Sequence, residues 1–238
     1  MLSRGKFWST ECALTLTTVP ANGLLSALPT EITEALGSHL VRVNFDAGEV
    51  ITEPADTTDD LYFVEQGAVS GMWSEDGIGL EAHLVGSEGC LGAAAWLFPT
   101  PLSLRYIAQT PGVCWKIDCR QFQAIAAGSV DIQYVMSRYN AGLQAELAEN
   151  IVWSSQKPGL QRLAKWFAKL QDRTQQTEFL ITQATIGTTL GLQRTTINEV
   201  AKVLAQHGAI SYLRGRLKII NRAVLDAHVV LPAASRSR

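Results

Sequence analysis

Residues 182–204 read TQATIGTTLGLQRTTINEVAKVL, and this stretch decides how the C-terminal third of the chain folds. Thr182 can cap a short helix, because its hydroxyl can accept a hydrogen bond from a backbone N–H two or three residues later. Gly187 removes a side chain where two crossing helices touch, and Gly191 allows the positive φ of the tight turn between them. With Ile197 on the inner face, this spacing is that of a helix-turn-helix.

The second helix of this motif, predicted over about residues 194–206, is the candidate recognition helix. Residues at the N-terminal end of such a helix can reach base edges in the major groove of DNA. Arginine pairs with guanine, asparagine pairs with adenine, and glutamate accepts a hydrogen bond from cytosine. The predicted base-reading residues are Gln193, Arg194, Thr195, Asn198 and Glu199.

A β-hairpin is predicted after this helix, because two β-favouring runs, 210–213 and 217–220, flank Arg214-Gly215-Arg216. We expect the two arginines at its tip to contact phosphates, which position a protein on DNA without specifying sequence. The hairpin is therefore interpreted as the wing of a winged helix. The predicted contacts to the DNA backbone are Thr182, Thr196, Lys202, Arg214 and Arg216.

Charge is divided unevenly along the chain. Residues 1–156 hold 7 Lys and Arg against 18 Asp and Glu, a net charge of −11, whereas residues 157–238 hold 13 against 4, a net charge of +9. This asymmetry indicates that only the C-terminal part meets nucleic acid. The alternative is a helical domain that binds a protein partner rather than DNA, and a steep salt dependence of DNA binding would separate the two.

The N-terminal half has a β pattern. Several short β-favouring runs are separated by glycine and proline, which predicts an antiparallel β-roll or jelly roll. A short helix over about residues 30–38 precedes them, because Pro29 and Thr30 suit a first helical turn. The predicted fold class is thus α+β. The strand runs are 40–45, 61–64, 68–73, 78–85, 104–108 and 113–117.

Helical periodicity begins after residue 118. Apolar residues recur every three or four positions and predict a helix of about 25 residues with one apolar stripe. A second copy of the helix across a two-fold axis is the simplest partner for such a stripe. The alternative is that the stripe packs on its own β-roll. The stripe, which we predict to form the dimer interface, is Ile132, Met136, Tyr139, Leu143, Leu147 and Ile151.

These segments predict a β-roll sensor over residues 1–128, a dimerisation helix over 129–156, a DNA-binding domain over 157–230 and a tail over 231–238. No stretch approaches the roughly 18 apolar residues of a membrane helix, and no signal-peptide pattern precedes the first domain, so we expect a cytoplasmic protein. An enzyme of the cupin type would need several histidine ligands in its barrel. His83 is the only histidine between residues 40 and 206, so we predict neither an enzyme nor a metal site.

Taken in order, these features resemble the cyclic-AMP receptor protein/fumarate-nitrate regulator (Crp/Fnr) family of bacterial transcription factors over about residues 24–228. The likeness rests on FDAGEVI at 45–51, LYFVEQGAV at 61–69, the long helix, and the helix-turn-helix with its wing. The resemblance implies a cyclic-nucleotide-binding-like sensor and a homodimer on a palindromic operator. It also implies RNA polymerase as a partner.

The effector pocket departs from the family pattern. Members that bind cyclic nucleotides carry Gly-Glu-Leu and then Arg before Ser or Thr in the cassette that holds the ribose and phosphate. This chain lacks both charged residues, and a buried phosphate without a cation is costly. Arg105 is a poor substitute, because an odd offset along a strand points it to the opposite face. The pocket positions, which we predict not to bind cyclic AMP, are Gly92, Ala93, Ala94, Leu102 and Ser103.

The cysteines do not match the oxygen-sensing branch of the family either. An iron–sulfur cluster needs about four thiolates, and only Cys12 lies in the N-terminal region, so no cluster is predicted. Redox sensing by Cys114 or Cys119 stays open, as does the absence of any effector. The recognition helix keeps the family's first arginine as Arg194 but has Thr195 and Glu199 where the cyclic-AMP receptor has glutamate and arginine. A palindrome with different half-site letters is therefore predicted.

Overall fold

The computed structural model describes residues 21–54, 60–75, 78–96 and 103–230, without the side chains of residues 74, 75 and 78. Cys12, Leu102 and the predicted tail lie outside the described residues. Within them, the predicted α+β architecture is confirmed: an antiparallel β-roll is followed by a long helix and a winged helix-turn-helix.

The β-roll consists of two four-stranded antiparallel sheets, ordered β1-β8-β3-β6 and β2-β7-β4-β5. All six predicted runs are strands, and the structure adds the short strands β2 and β6. Buried side chains such as Val43, Val64 and Tyr106 fill the space between the sheets. The strands are β1 Val41–Phe45, β2 Val50–Thr52, β3 Asp60–Gln66, β4 Val69–Glu75, β5 Ile78–Val85, β6 Cys90–Leu91, β7 Arg105–Ala108 and β8 Gly112–Asp118.

Three helices cover the outer face of the first sheet. They are α1 Thr30–Gly37, α2 Cys119–Ala126 and α3 Val130–Gln156. Polar caps set two of their starts: the Asp118 carboxylate accepts from the backbone N–H groups of Arg120 and Gln121, and the Ser129 hydroxyl accepts from Ile132 N at 3.2 Å. The sequence predicted α1 and α3 but missed α2, which has only two turns.

The N-terminal part of the apolar stripe of α3 is buried within the same chain and is not available to a second protomer. Ile132 and Met136 are 0% and 2% exposed and pack with Phe122 in a core cluster of the same chain. Tyr139 is likewise turned inward, and its hydroxyl donates to the Cys90 carbonyl at 3.3 Å. The assignment of these three stripe residues to the dimer interface was therefore wrong, because the β-roll covers them. Toward the C-terminal end, Ile151 is 68% exposed.

The C-terminal domain contains four helices and a small antiparallel sheet ordered β10-β11-β9. Its core is a buried cluster that includes Phe167, Ile186 and Leu217 and that also takes in Ala68 and Leu84 of the β-roll. The two halves of the chain thus share a core. The elements are α4 Gly159–Thr174, β9 Glu178–Leu180, α5 Gln183–Leu190, α6 Arg194–Gln206, β10 Ile210–Leu213, β11 Arg216–Ile219 and α7 Arg222–Val230.

Candidate nucleic-acid interface

The helix-turn-helix has the local geometry that its sequence predicts. The Thr182 hydroxyl caps α5 by accepting from Thr185 N at 3.1 Å. Gly191, between α5 and α6, has φ +60°, which suits glycine. A Cβ on Gly187 would lie 3.0 Å from the Leu192 carbonyl oxygen and 3.3 Å from Ile197 Cδ1, so the two helices cross at the point where the side chain is missing.

Helix α6 has one buried face and one free face. Ile197, Ala201 and Leu204 are buried against the core of the domain. Gln193 is the N-cap residue of the helix, and the Arg194 guanidinium donates to the Gln183 side-chain oxygen at 3.4 Å. The structure brings the predicted base-reading residues together at the exposed N-terminal end of the helix, and all five are exposed: Gln193, Arg194, Thr195, Asn198 and Glu199.

The wing forms as predicted. Arg214 and Gly215, at the turn between β10 and β11, both have positive φ, +50° and +77°, as a two-residue type I′ hairpin loop requires. Arg214 and Arg216 are exposed at the tip, as are Thr182 and Lys202 of the predicted backbone set. Thr196 differs, since it is half-buried with its methyl carbon 3.3 Å from where a Cβ on Gly159 would lie.

The described residues of the predicted effector pocket have uncharged side chains. Gly92 has φ +79° and begins a single turn of 3₁₀ helix, Ala93 is buried, and Ala94 and Ser103 are exposed. Tyr106 is buried in the same β-roll interior, and burial raises the pKa of its hydroxyl above the ordinary value, so this group carries no charge at neutral pH.

A histidine that the sequence did not single out as a pocket residue fills the adjoining space. The His83 ring lies over Gly71, where a Cβ would be 2.7 Å from its Cε1, and its Nε2 is 3.5 Å from the Tyr106 hydroxyl oxygen. Burial lowers the pKa of His83 to about 4, so the ring is neutral at pH 7. The signal available in the sequence was a polar residue within an otherwise β-favouring run.

Arg105 and the cysteines also contribute no charge to this pocket. Arg105 turns away from the interior and forms an ion pair with Glu53 at 3.0 Å, as its offset along the strand predicted. Cys90, Cys114 and Cys119 are buried, and burial raises the pKa of Cys114 to about 12. A protonated, buried thiol is a poor redox sensor, which weakens that role for Cys114.

Two family models match separate parts of the chain. Residues 42–129 match the cyclic nucleotide-binding domain, and residues 161–228 match the Crp-like helix-turn-helix domain. The chain belongs to the Crp/Fnr family. It is therefore a DNA-binding transcription regulator with a cyclic-nucleotide-binding-like domain, and not an enzyme. Comparison with curated protein sequences gives no match.

Solved structures share this fold at low sequence identity. FixK2 of Bradyrhizobium japonicum is 16% identical, with a TM-score of 0.69, over 82% of this chain and 99% of its own. The c-di-GMP-responsive regulator CLP of Xanthomonas campestris is 15% identical, with a TM-score of 0.66, over 81% and 100%. A Crp/Fnr regulator of Thermus thermophilus is 20% identical, with a TM-score of 0.64, over 79% and 97%.

Among the residues that the structure describes, no helix is both long and apolar enough to cross a membrane.

Proposed function

We propose that this regulator is a homodimer that reads a palindromic operator and does so without cyclic AMP. The observation that carries the proposal is the exposed polar end of α6 beside the two-arginine wing, on a segment with a net charge of +9. Base-reading by Gln193, Arg194, Thr195, Asn198 and Glu199 follows from their place at the helix N-terminus. Phosphate contacts by Thr182, Thr196, Lys202, Arg214 and Arg216 complete the interface.

The dimer contact that we propose is the outward face of α3 rather than the inward stripe. Tyr134, Ala141 and Ala148 recur every seven residues, and Tyr134 is 62% exposed. A seven-residue repeat with small side chains suits close packing of two long helices. Ile151 and Val152, both exposed, extend this face toward the DNA-binding domain. Two-fold symmetry would then present the two α6 helices to half-sites about 34 Å apart.

Independence from cyclic AMP is supported by the chemistry of the β-roll interior. Ala93 stands where a ribose-binding glutamate would be, and the buried Tyr106 hydroxyl is uncharged at neutral pH because burial raises its pKa. Arg105 is paired with Glu53 on the outer side. A cyclic phosphate buried there would have no cation among the described residues, which is energetically costly.

The remaining parts of the proposal follow from DNA binding. A regulator at an operator acts on RNA polymerase, which we propose as its second macromolecular partner, in the bacterial cytoplasm where the chromosome lies. We keep the functional division into a sensor over residues 1–128, a dimer helix over 129–156 and a DNA-binding domain over 157–230.

Selection of genomic DNA fragments by the purified protein, with no ligand at physiological salt, tests the proposal. We expect enrichment of a palindrome. The operator affinity is then measured with and without cyclic AMP, and no change is expected. Enrichment only in the presence of cyclic AMP would overturn the ligand-independence, and an enriched single half-site would contradict the dimer. DNA binding with a flat salt dependence would favour a protein partner for the helix-turn-helix.

A further inference from the structure

The β4–β5 hairpin packs directly on the DNA-binding domain. Leu80 on β5 lies 3.2 Å from the position of a Cβ on Gly191, at the turn of the helix-turn-helix. Gly86, just after β5, touches α4 so closely that a Cβ there would lie 2.6 Å from the Arg173 Cβ. Leu84 belongs to the core of the DNA-binding domain. Strand β5 therefore belongs to the sensor and also forms part of the interface with the DNA-binding domain.

A β-bulge in β5 sends two polar side chains in opposite directions. Glu81 and His83 pair with consecutive residues of β4, so the register skips Ala82. Without the bulge, Glu81 and His83 would share one face of the strand, because side chains alternate with period two. With the bulge, His83 faces the β-roll interior and Glu81 faces α4. The Ala82 carbonyl accepts from the Asn150 side chain of α3 at 2.8 Å.

Glu81 connects the two domains through one carboxylate oxygen. Its Oε2 accepts from Trp166 Nε1 of α4 at 3.0 Å and also from the Ser70 hydroxyl of β4. Trp166 is 3% exposed. Burial raises the pKa of the Glu81 carboxyl above its ordinary value. A hydrogen bond to an enclosed carboxylate is stronger than one at the surface, and its donor is left unsatisfied when the acceptor is removed.

The covalent connection between the domains does not fix their relative angle. Only Lys157 and Pro158 separate α3 from α4, and Lys157 has an extended backbone conformation. Rotation of α4 relative to α3 about this link is limited by the noncovalent contacts between the two domains. Besides the Glu81–Trp166 hydrogen bond, the contacts include ion pairs from Lys169 and Arg173 to Glu146.

We propose that Glu81 is a positioning residue through which the sensor holds the DNA-binding domain at one angle. A change in the β4–β5 hairpin then reaches the recognition helix within the same protomer, through α4 and α5, without passing along α3. This inference rests on the proposed operator binding, because a fixed angle affects binding only where two recognition helices must fit one palindrome.

The test compares affinity for the palindrome with affinity for a single half-site. Glu81→Leu and Trp166→Phe each remove the hydrogen bond, whereas Glu81→Gln keeps an acceptor for the indole N–H. We expect both disruptive variants to lower the ratio of palindrome to half-site affinity about tenfold, and Glu81→Gln to keep it. A residue that only stabilised the fold would not change this ratio in protein that remains folded.

Glu65→Leu is the matched control, because Glu65 accepts from Arg42 at 3.2 Å on the other sheet, away from the DNA-binding domain. It should leave the ratio unchanged. The double variant Glu81→Leu/Trp166→Phe should be no worse than either single change, since both remove one interaction. Unchanged ratios in Glu81→Leu and Trp166→Phe would overturn the proposal, and so would an equal loss in Glu65→Leu.

Calorimetric unfolding of the full chain separates failure of this inference from failure of the proposed function. We expect one transition in the wild-type protein and two in Glu81→Leu, as the domains uncouple. A wild-type protein that binds no palindrome would refute the proposed function, and calorimetry would still show whether Glu81 joins the domains. A single unshifted transition in Glu81→Leu would refute the coupling even where DNA binding is intact.

Discussion

The DNA-binding domain and the β-roll place their polar side chains in opposite ways: one exposes them and the other buries them. At the N-terminal end of α6, Arg194 and Asn198 are exposed and available to a ligand. In the β-roll, His83 and Ser70 are 2% and 0% exposed and meet partners within the chain. One domain therefore exposes hydrogen-bonding groups where a large anionic polymer can reach them, whereas the other encloses these polar groups away from solvent.

The two parts of the chain also differ in net charge. The part of the chain that contains the β-roll carries a net charge of −11, and the part that contains the winged helix carries +9. Contacts between exposed residues and DNA phosphates release counterions, so the affinity for DNA changes with salt concentration. Titratable residues inside the β-roll lie in a low-dielectric interior, so their protonation changes the free energy of unfolding. The two regions should thus respond to different variables.

The largest expected effect is at the wing. Reversing both charges with Arg214→Glu/Arg216→Glu should weaken binding to every DNA sequence by about 100-fold or more, because attraction to phosphates becomes repulsion. The slope of log affinity against log salt should fall in magnitude by about 4, because two arginines are lost from each of the two protomers. Arg120→Glu, an exposed reversal on α2, is the control and should change neither quantity. A loss confined to one DNA sequence would contradict a backbone role.

His83 should dominate the pH dependence of the β-roll. The folded state holds its pKa at about 4, below the ordinary 6.5, so the unfolded state takes up the proton first. Stability from this group is full above pH 6.5 and is lost as the pH falls toward 4, by about 3 kcal/mol. Urea unfolding at several pH values should show a shallower loss for His83→Leu than for wild type. His39→Gln, at an exposed site, should match wild type, and identical slopes for all three proteins would refute the assignment.

Arg194 should determine base preference rather than general affinity. Arg194→Ala should cost about 2 kcal/mol on the preferred operator and much less on operators altered at one base pair of each half-site. Competition binding against a set of single-base operator variants measures this. Lys202→Ala on the same helix is the matched control, and it should weaken all operators alike. An unchanged preference in Arg194→Ala would mean that the recognition surface lies elsewhere.

The winged helix could be predicted from sequence because its determinants are local. Thr182, Gly187 and Gly191 lie within ten residues, and each satisfies a requirement of backbone geometry that no distant residue can change. The predicted bounds of α6 coincide with the observed ones. The strands β2 and β6 were missed because two or three residues carry too little periodicity to stand out. Helix α2 was missed because it lacks the Pro-Thr start that marked α1, a helix of the same length.

The parts that depend on long-range packing were harder to predict. Periodicity showed that α3 has an apolar face, but it could not show that the β-roll covers Ile132 and Met136. The bulge at Ala82 breaks strand alternation, so the opposite directions of Glu81 and His83 do not follow from the sequence pattern. Functional groups on a surface helix can thus be assigned from spacing, whereas those inside a β-roll need the register of the neighbouring strand.

The smallest expected effect is that of cyclic AMP on the β-roll. At about 1 mM, cyclic AMP should leave the melting temperature unchanged, because a ligand stabilises only a folded state that binds it. Tyr106→Phe removes a hydroxyl from the β-roll interior but supplies neither a carboxylate for the ribose nor a cation for the phosphate, so it too should show no shift. 5′-AMP serves as the control for nonspecific nucleotide effects. A rise in wild type would place the nucleotide in the pocket despite Ala93, whereas a rise in Tyr106→Phe alone would mean that the hydroxyl, and not the missing charges, keeps it out.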